Sequence, residues 1–402
     1  MSEWKECTLG NSPIEIIDGD RGENYPSQTE FSNSGYCLFL NAKNVCKSGF
    51  SFQECQFITA EKDNVLRKGK LNRHDIVLTT RGTVGNVAYY GEHVPYENIR
   101  INSGMVIIRP NQNELYPLFC YYSLINLRFN LDTYISGTAQ PQLPIKDMVN
   151  MPISLPSLST QRAIAEVLSS LDDKIDLLTR QNATLEALAQ TYFREWFVEE
   201  ASEEWETMRL WDILESIESG SRPKGGIDPN LLDGVPSLGA ESINGIGVYD
   251  FSKTKYVTRE FYSNMRRGIV KSYDVLIYKD GAYVGKKGMF GNGFPFSEFA
   301  VNEHVFILRS NAKASQIFLY FLLQEEELAQ LNSNSAQPGL NQPAMNAYEV
   351  VLPPIKQIHD FEVLAKPMID KIFSNANQIK TLQKLRDTLL PKLVNGEVRI
   401  TV

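Results

Sequence analysis

Apolar residues recur along residues 161–198 at alternating spacings of four and three. The positions are Ile164, Leu168, Leu171, Ile175, Leu178, Asn182, Leu185, Ala189, Tyr192 and Trp196. The stretch holds neither Pro nor Gly, so the spacing predicts one long helix with a narrow heptad seam. At ~1.5 Å per residue that helix is roughly 57 Å long. Pro156 ends the preceding segment, and Ser159 or Thr160 is placed to cap the first turn.

So narrow a seam needs a partner. The C-terminal end offers one in Phe361, Ala365, Met368, Ile372, Asn375, Ile379, Leu382, Arg386, Leu389 and Leu393, again after a Leu-Pro step. Each seam holds one Asn, Asn182 or Asn375. A polar seam residue costs stability but fixes register, because misaligned pairings bury it against Leu. Pro367 predicts a kink in the first turns of the second helix. The alternatives are two ordinary core helices or two separate intermolecular coiled coils. Matching length and pattern favour an intramolecular pair. So does charge: residues 351–402 carry 8 basic and 5 acidic groups, and residues 156–200 carry 4 and 8.

The chain also repeats itself at an offset of 196–201. Trp4 returns as Trp205, residues 40–45 as 238–243, 75–82 as 274–281, 102–109 as 302–309, and 139–141 as 336–338. Each copy is a globular region followed by one long helix. The copies share apolar pattern and turn residues but differ in polar residues, which suits reading two different things. Within a copy, residues 76–79, 84–90 and 105–108 read as strands, as do 275–278, 283–290 and 305–308. Residues 115–131 and 314–331 read as helices. Gly82, Gly85, Gly281 and Gly285 punctuate turns. Strands with segregated helices predict an α+β fold, not a doubly wound sheet. The expected domains are 1–155 and 201–353, with long helices in 156–200 and in 354–402, the latter including a C-terminal return segment beside the first domain.

Composition narrows the class. The chain has 402 residues, 43% hydrophobic and 22% charged, ordinary for a soluble globular protein. No apolar run reaches the ~18 residues of a membrane span, and the start lacks the regions of a signal peptide. Five cysteines, an odd number without a Cys-x-x-Cys, suggest reduced thiols in a cytoplasm. The net charge of −8 argues, taken alone, against nucleic acid as a ligand. The four histidines are scattered, so no metal site is expected. Asp75 and Asp274 each open a strand and should cap a turn, and Asn102 and Asn302 should fix a turn before a strand.

The order of globular region, long helix, globular region, long helix resembles the specificity subunit of a type I restriction–modification enzyme. A Leu-Pro step followed by Gln opens both helices, at Leu155/Gln161 and Leu352/Gln357. The Gly-Thr-Ala-Gln-Pro-Gln turn at 137–142 is similar to the family's Gly/Ser-Thr-x-Gln turn. The second copy has Ser-Ala-Gln-Pro-Gly there and lacks the Thr. Residues 389–400 are similar to the family's C-terminal signature. The resemblance spans the whole chain. It implies a pseudo-twofold repeat of two target-recognition domains, each reading half of a split double-stranded DNA sequence. The helices would form an intramolecular antiparallel coiled coil that spaces the half-sites. Two methyltransferase subunits would dock, and restriction subunits would join them. S-adenosylmethionine, ATP and Mg would belong to those partners, leaving this chain non-catalytic.

The residues fit that role. The sequence has no Asn/Asp-Pro-Pro-Tyr/Phe motif, no strand-following Gly-x-Gly-x-x-Gly and no P-loop. Candidate DNA contacts are polar or basic turn residues. In the first copy they are Asp20, Arg21, Asn24, Tyr25, Lys43, Asn44, Arg81, Thr83, Asn86, Thr138, Gln140 and Gln142. In the second they are Ser221, Arg222, Lys224, Glu241, Ser242, Lys279, Asp280, Tyr283, Lys286, Lys287, Gln337 and Gln342. Arg can bond guanine bidentately and Asn or Gln can bond adenine, whereas Lys mainly holds phosphates. The rival readings are a coiled-coil scaffold with two peptide-binding domains, and a stand-alone DNA-modifying enzyme.

Overall fold

The computed structural model describes residues 4–135, 141–281, 284–331 and 339–400. The chain forms two compact units, Met1–Asp173 with Gln383–Val402, and Lys174–Leu382. Both boundaries fall inside long helices.

The first unit is built on an antiparallel sheet in the order Ile14–Asp18, Met105–Pro110, Ile76–Thr79, Val87–Tyr89. Strand alternation divides its side chains between two cores. Ile76, Leu78, Val106 and Ile108 pack with the helix Pro117–Leu127 and with Ile164 and Leu168 of the first long helix. Val77, Ile107 and Ala88 face Leu38, Leu40 and Ile99 of a smaller sheet. There Cys37–Leu40 runs antiparallel to Phe57–Ile58 and parallel to Ile99–Ile101. Ile76 is fully buried, so truncation to Ala would cost about 2–5 kcal/mol.

The second unit repeats this plan. Its main sheet runs Leu214–Ser219, Val305–Ser310, Val275–Tyr278, Lys287–Met289, with Gly245–Ile246 added at the edge. Its smaller sheet pairs Val235–Leu238 antiparallel to Lys255–Val257 and parallel to Ala300–Val301. In each unit the first strand pairs with the strand that feeds a long helix: Lys5–Thr8 with Pro152–Leu155, and Glu206–Arg209 with Glu349–Leu352. The fold is therefore α+β and duplicated.

The long helices are Leu158–Arg194 and Ile355–Val394. Their pairing is antiparallel in each unit. In the second, Phe193 and Trp196 meet Phe361 at the start of the other helix. In the first, Ile164 and Leu168 share a core with Leu390 and Leu393. The two seam asparagines meet: Asn375 Nδ2 donates to Asn182 Oδ1 at 2.8 Å and to Gln181 Oε1 at 2.9 Å. The second helix is not interrupted at Pro367. The carbonyl that Pro leaves without a partner belongs to Val363, whose side chain is 62% exposed, so water can reach that face. Ala365 and Ile369 stay buried on the other face.

Several sequence expectations shorten. The strand expected at 84–90 begins at Val87, because Gly85 turns the chain with φ +88°. Of the one expected at 283–290, Tyr283 lies outside the described residues, and within 284–290 the strand is Lys287–Met289. The helix expected at 115–131 is Pro117–Leu127 and then a 3-10 segment Arg128–Thr133; that at 314–331 is Gln316–Glu325 and then Leu328–Leu331. Phe193 holds the fully buried place near the end of the first seam, while Tyr192 is half-buried, as expected when a 3.6-residue period drifts against 3.5.

The C-terminal segment returns into the first unit. Gly396 turns there at φ +74°, and a Cβ on it would lie 3.2 Å from the Trp4 indole. Trp205 has a corresponding neighbour in Phe197, at 6.2 Å between centroids. Among the described residues, no helix is long and apolar enough to cross a membrane.

Candidate nucleic-acid interface

Framework ion pairs set the turns. Arg109 holds Asp75 with two bonds of 2.7 and 2.8 Å, and Arg309 holds Asp274 likewise at 2.6 and 2.8 Å. Each carboxylate also caps its turn, accepting from Asn72 N at 2.7 Å or Lys271 N at 2.8 Å. Asn102 Oδ1 accepts from Gly104 N at 2.9 Å and Asn302 Oδ1 from His304 N at 3.0 Å, each just before a strand. These four residues do what the sequence suggested.

In the first unit the candidates separate by what their polar atoms already hold. Asp20 is buried and accepts from the backbone N–H of Arg67 at 2.7 Å, Gly22 at 2.8 Å and Lys68 at 3.4 Å. Burial pushes its pKa up, but these bonds and the Arg67 charge outweigh it and hold the carboxyl below its usual range. Buried Asn44 donates to Glu54 O at 2.8 Å and Ser51 O at 3.0 Å, and buried Asn86 donates to Val45 O at 3.0 Å. These three hold loops together. Tyr25 is half-buried, edge-on to Phe39. Arg21, Asn24, Lys43, Arg81 and Thr83 are exposed. Arg21 pairs with Asp18 at 3.1 Å and Lys43 with Glu54 at 2.6 Å. The Arg81 guanidinium has no hydrogen bond or ion pair among the described residues. Gln142 is half-buried and its backbone bridges to Arg81. Thr138 and Gln140 lie outside the described residues.

In the second unit, Ser242 is buried, and half-buried Glu241 pairs with Lys255 at 2.6 Å. Lys287 donates to Glu326 O at 3.1 Å, and burial lowers its pKa. Gln342 donates to Ile217 O at 3.1 Å. Ser221 is half-buried; Arg222, Lys224 and Lys286 are exposed. Arg222 pairs with Glu303 at 2.8 Å. The Lys279 ammonium lies 5.1 Å over the Phe306 ring, and Asp280 meets His304 Nδ1 at 2.8 Å. Tyr283 and Gln337 lie outside the described residues.

One edge gathers several candidates in each unit. Arg81 N donates to Gly104 O at 3.1 Å, and Arg21 reaches Ser103 O at 3.4 Å. The turn carrying Lys43 lies close by, since a Cβ on Gly82 would stand 3.9 Å from Ala42. In the second unit Lys279 N donates to His304 O at 2.9 Å, and Arg222 reaches the adjacent Glu303. Lys287 and Gln342 are not brought to that edge by any of these contacts. The exposed residues Arg67, Lys68, Arg266 and Arg267 were not among the sequence candidates. The signal was present, since Arg-Lys-Gly at 67–69 returns as Arg-Arg-Gly at 266–268.

Two copies of one α+β scaffold, each packed on both long helices and each presenting a polar turn edge of different composition, define a duplicated recognition protein. The family model described as "Type I restriction modification DNA specificity domain" matches residues 1–187 and 202–384, and the chain belongs to that family. It is 27% identical over 357 residues to the type I restriction enzyme MjaIX specificity subunit of Methanocaldococcus jannaschii, covering 81% of this chain and 78% of the relative. It is 24% identical to the HindI specificity subunit of Haemophilus influenzae, covering 99% and 100%. The fold is shared with the crystal structure of the S subunit of a type I restriction–modification system from M. genitalium, with a TM-score of 0.58 at 16% identity over 99% of this chain and 97% of that one.

Proposed function

We propose that this chain reads DNA for a type I restriction–modification assembly. Residues 1–155 and 201–353 each read one half of a split double-stranded target. Helical segments 156–200 and 354–402 set the spacer between the halves. One observation carries this reading: equivalent turns of one framework carry different polar groups. Asp20 stands where the second copy has Ser221, Thr80-Arg81 where it has Lys279-Asp280, and Gly104 where it has His304. A shared framework with exchanged tips is what two readers of different sequences require.

The direct contacts we assign are Arg21, Lys43, Arg81, Thr83 and Gln142 in the first copy, with Arg222, Lys224, Lys279, Asp280 and Lys286 in the second. The reaction chemistry belongs to partners: two methyltransferase subunits, and restriction subunits that join them. We assign S-adenosylmethionine, ATP and Mg to those subunits, since this sequence carries neither an adenine-methylation motif nor a P-loop. We place the assembly in the cytoplasm, where the five free thiols stay reduced. Single-molecule methylome sequencing of the host with and without the gene tests the proposal. A split methylated motif should vanish on deletion. An unchanged methylome would overturn the assignment.

A further inference from the structure

We infer that the basic pairs Arg67-Lys68 and Arg266-Arg267 are phosphate anchors, one in each unit, that grip the DNA backbone without reading sequence. The inference rests on the DNA-reading function proposed above. The two pairs occupy equivalent positions, each followed by a glycine in the left-handed region, Gly69 at φ +85° and Gly268 at φ +82°. The glycines are needed. A Cβ on Gly268 would stand 2.5 Å from Gly220 Cα, and one on Gly69 would stand 3.4 Å from Gly19 Cα and 3.1 Å from Ile101 Cγ1. Gly69 O accepts from Ile101 N, and Gly268 O from Val301 N, each at 2.9 Å. Each pair is thereby pressed against the loop that carries Arg21 or Arg222 and fixed to the strand that leads into the 102–104 or 302–304 turn.

All four side chains are exposed, and among the described residues none is in an ion pair. The neighbouring cations differ in this respect, since Arg21 is matched by Asp18 and Arg222 by Glu303. Asp20 lies against the first pair. It is buried, and its oxygens hold the backbone N–H groups of Arg67 and Lys68; the Arg67 guanidinium lies over Gly22, near enough for its charge to act on Asp20 but in no ion pair with it. In the second unit Ser221 replaces Asp20 and the basic pair remains. What the copies keep is thus the charge and the glycine, not the bond. Two readers of different sequences share only the phosphate backbone, because phosphate contacts position while base contacts specify.

The test is the salt dependence of duplex binding by the full chain assembled with its methyltransferase partners, on the target and on a duplex with both half-sites scrambled. Each neutralised phosphate contributes about 0.9 to the slope of log K against log salt. Arg67→Ala/Lys68→Ala should lower the slope by about 1.8, and the fourfold variant including Arg266→Ala and Arg267→Ala by about 3.6. Both should weaken target and scrambled duplexes by the same factor and leave the methylated motif unchanged. Arg67→Lys/Arg266→Lys should keep the parent slope, which separates charge from folding. An unchanged slope in the alanine variants, or a motif relaxed in one half-site, would overturn the anchors alone. A parent complex whose binding does not depend on salt would overturn the DNA-reading function with them.

Discussion

At the scale of single residues, burial decides which polar groups serve structure. Glu186 lies on the first long helix and accepts from Tyr320 Oη at 3.0 Å. Burial raises its pKa, against the lowering effect of the Tyr320 bond. A carboxyl raised in the folded state is favourable while protonated, and its contribution is lost as pH climbs through the folded pKa. Glu186→Gln keeps an acceptor for Tyr320 and removes the buried charge. Its melting temperature should match the parent below about pH 4.3, the ordinary glutamate value, and exceed it increasingly at higher pH. An equal difference at pH 4 and pH 8 in thermal melts would refute the assignment. The same rule limits what the sequence revealed of the site. Asp20, Asn44 and Asn86 are indistinguishable in sequence from exposed turn residues, because backbone partners such as Arg67 N or Val45 O are supplied by distant loops. The exposure of Arg81 was legible, because Gly82 at the next position turns the chain at φ +75°.

At the scale of elements, periodicity was the reliable signal. The two long helices follow from heptad spacing alone, and their asparagines meet across the seam. Among the described residues Asn375 Oδ1 is buried without a hydrogen bond, consistent with a residue kept for register and not for strength. Replacing both Asn182 and Asn375 by Leu should raise the denaturant midpoint. Asn375→Leu alone leaves the Asn182 carbonyl oxygen without its donor and should cost about 1–3 kcal/mol. Chemical denaturation of the two variants decides this, and a single variant as stable as the double would contradict the pairing. Short elements were not legible. Phe57–Ile58 and Gly245–Ile246 have two residues each, too few for any period, and they exist because a neighbouring strand presents free backbone groups. The helix ends were overestimated because apolar residues such as Leu131 and Leu328 continue into 3-10 turns that bury them just as well.

At the scale of the whole molecule, the chain crosses between its two units twice, each time inside a long helix. If those helices set the spacer, four residues added near Asn182 and four near Ile379 lengthen it by about 6 Å at ~1.5 Å per residue. B-DNA advances about 3.4 Å per base pair along each strand. The methylated motif should keep both half-sites and gain one or two spacer pairs. An active variant with the original spacer would show that the helices do not measure DNA.

The central claim is that each copy reads its own half-site. The methylome of a host carrying Arg81→Ala, set against the parent, tests it most directly. One base contact is worth about 1–3 kcal/mol of discrimination, so at least one position in a single half-site should relax about fivefold or more while the other half stays unchanged. Relaxation in both halves at once, or an undivided motif in the parent, would contradict it.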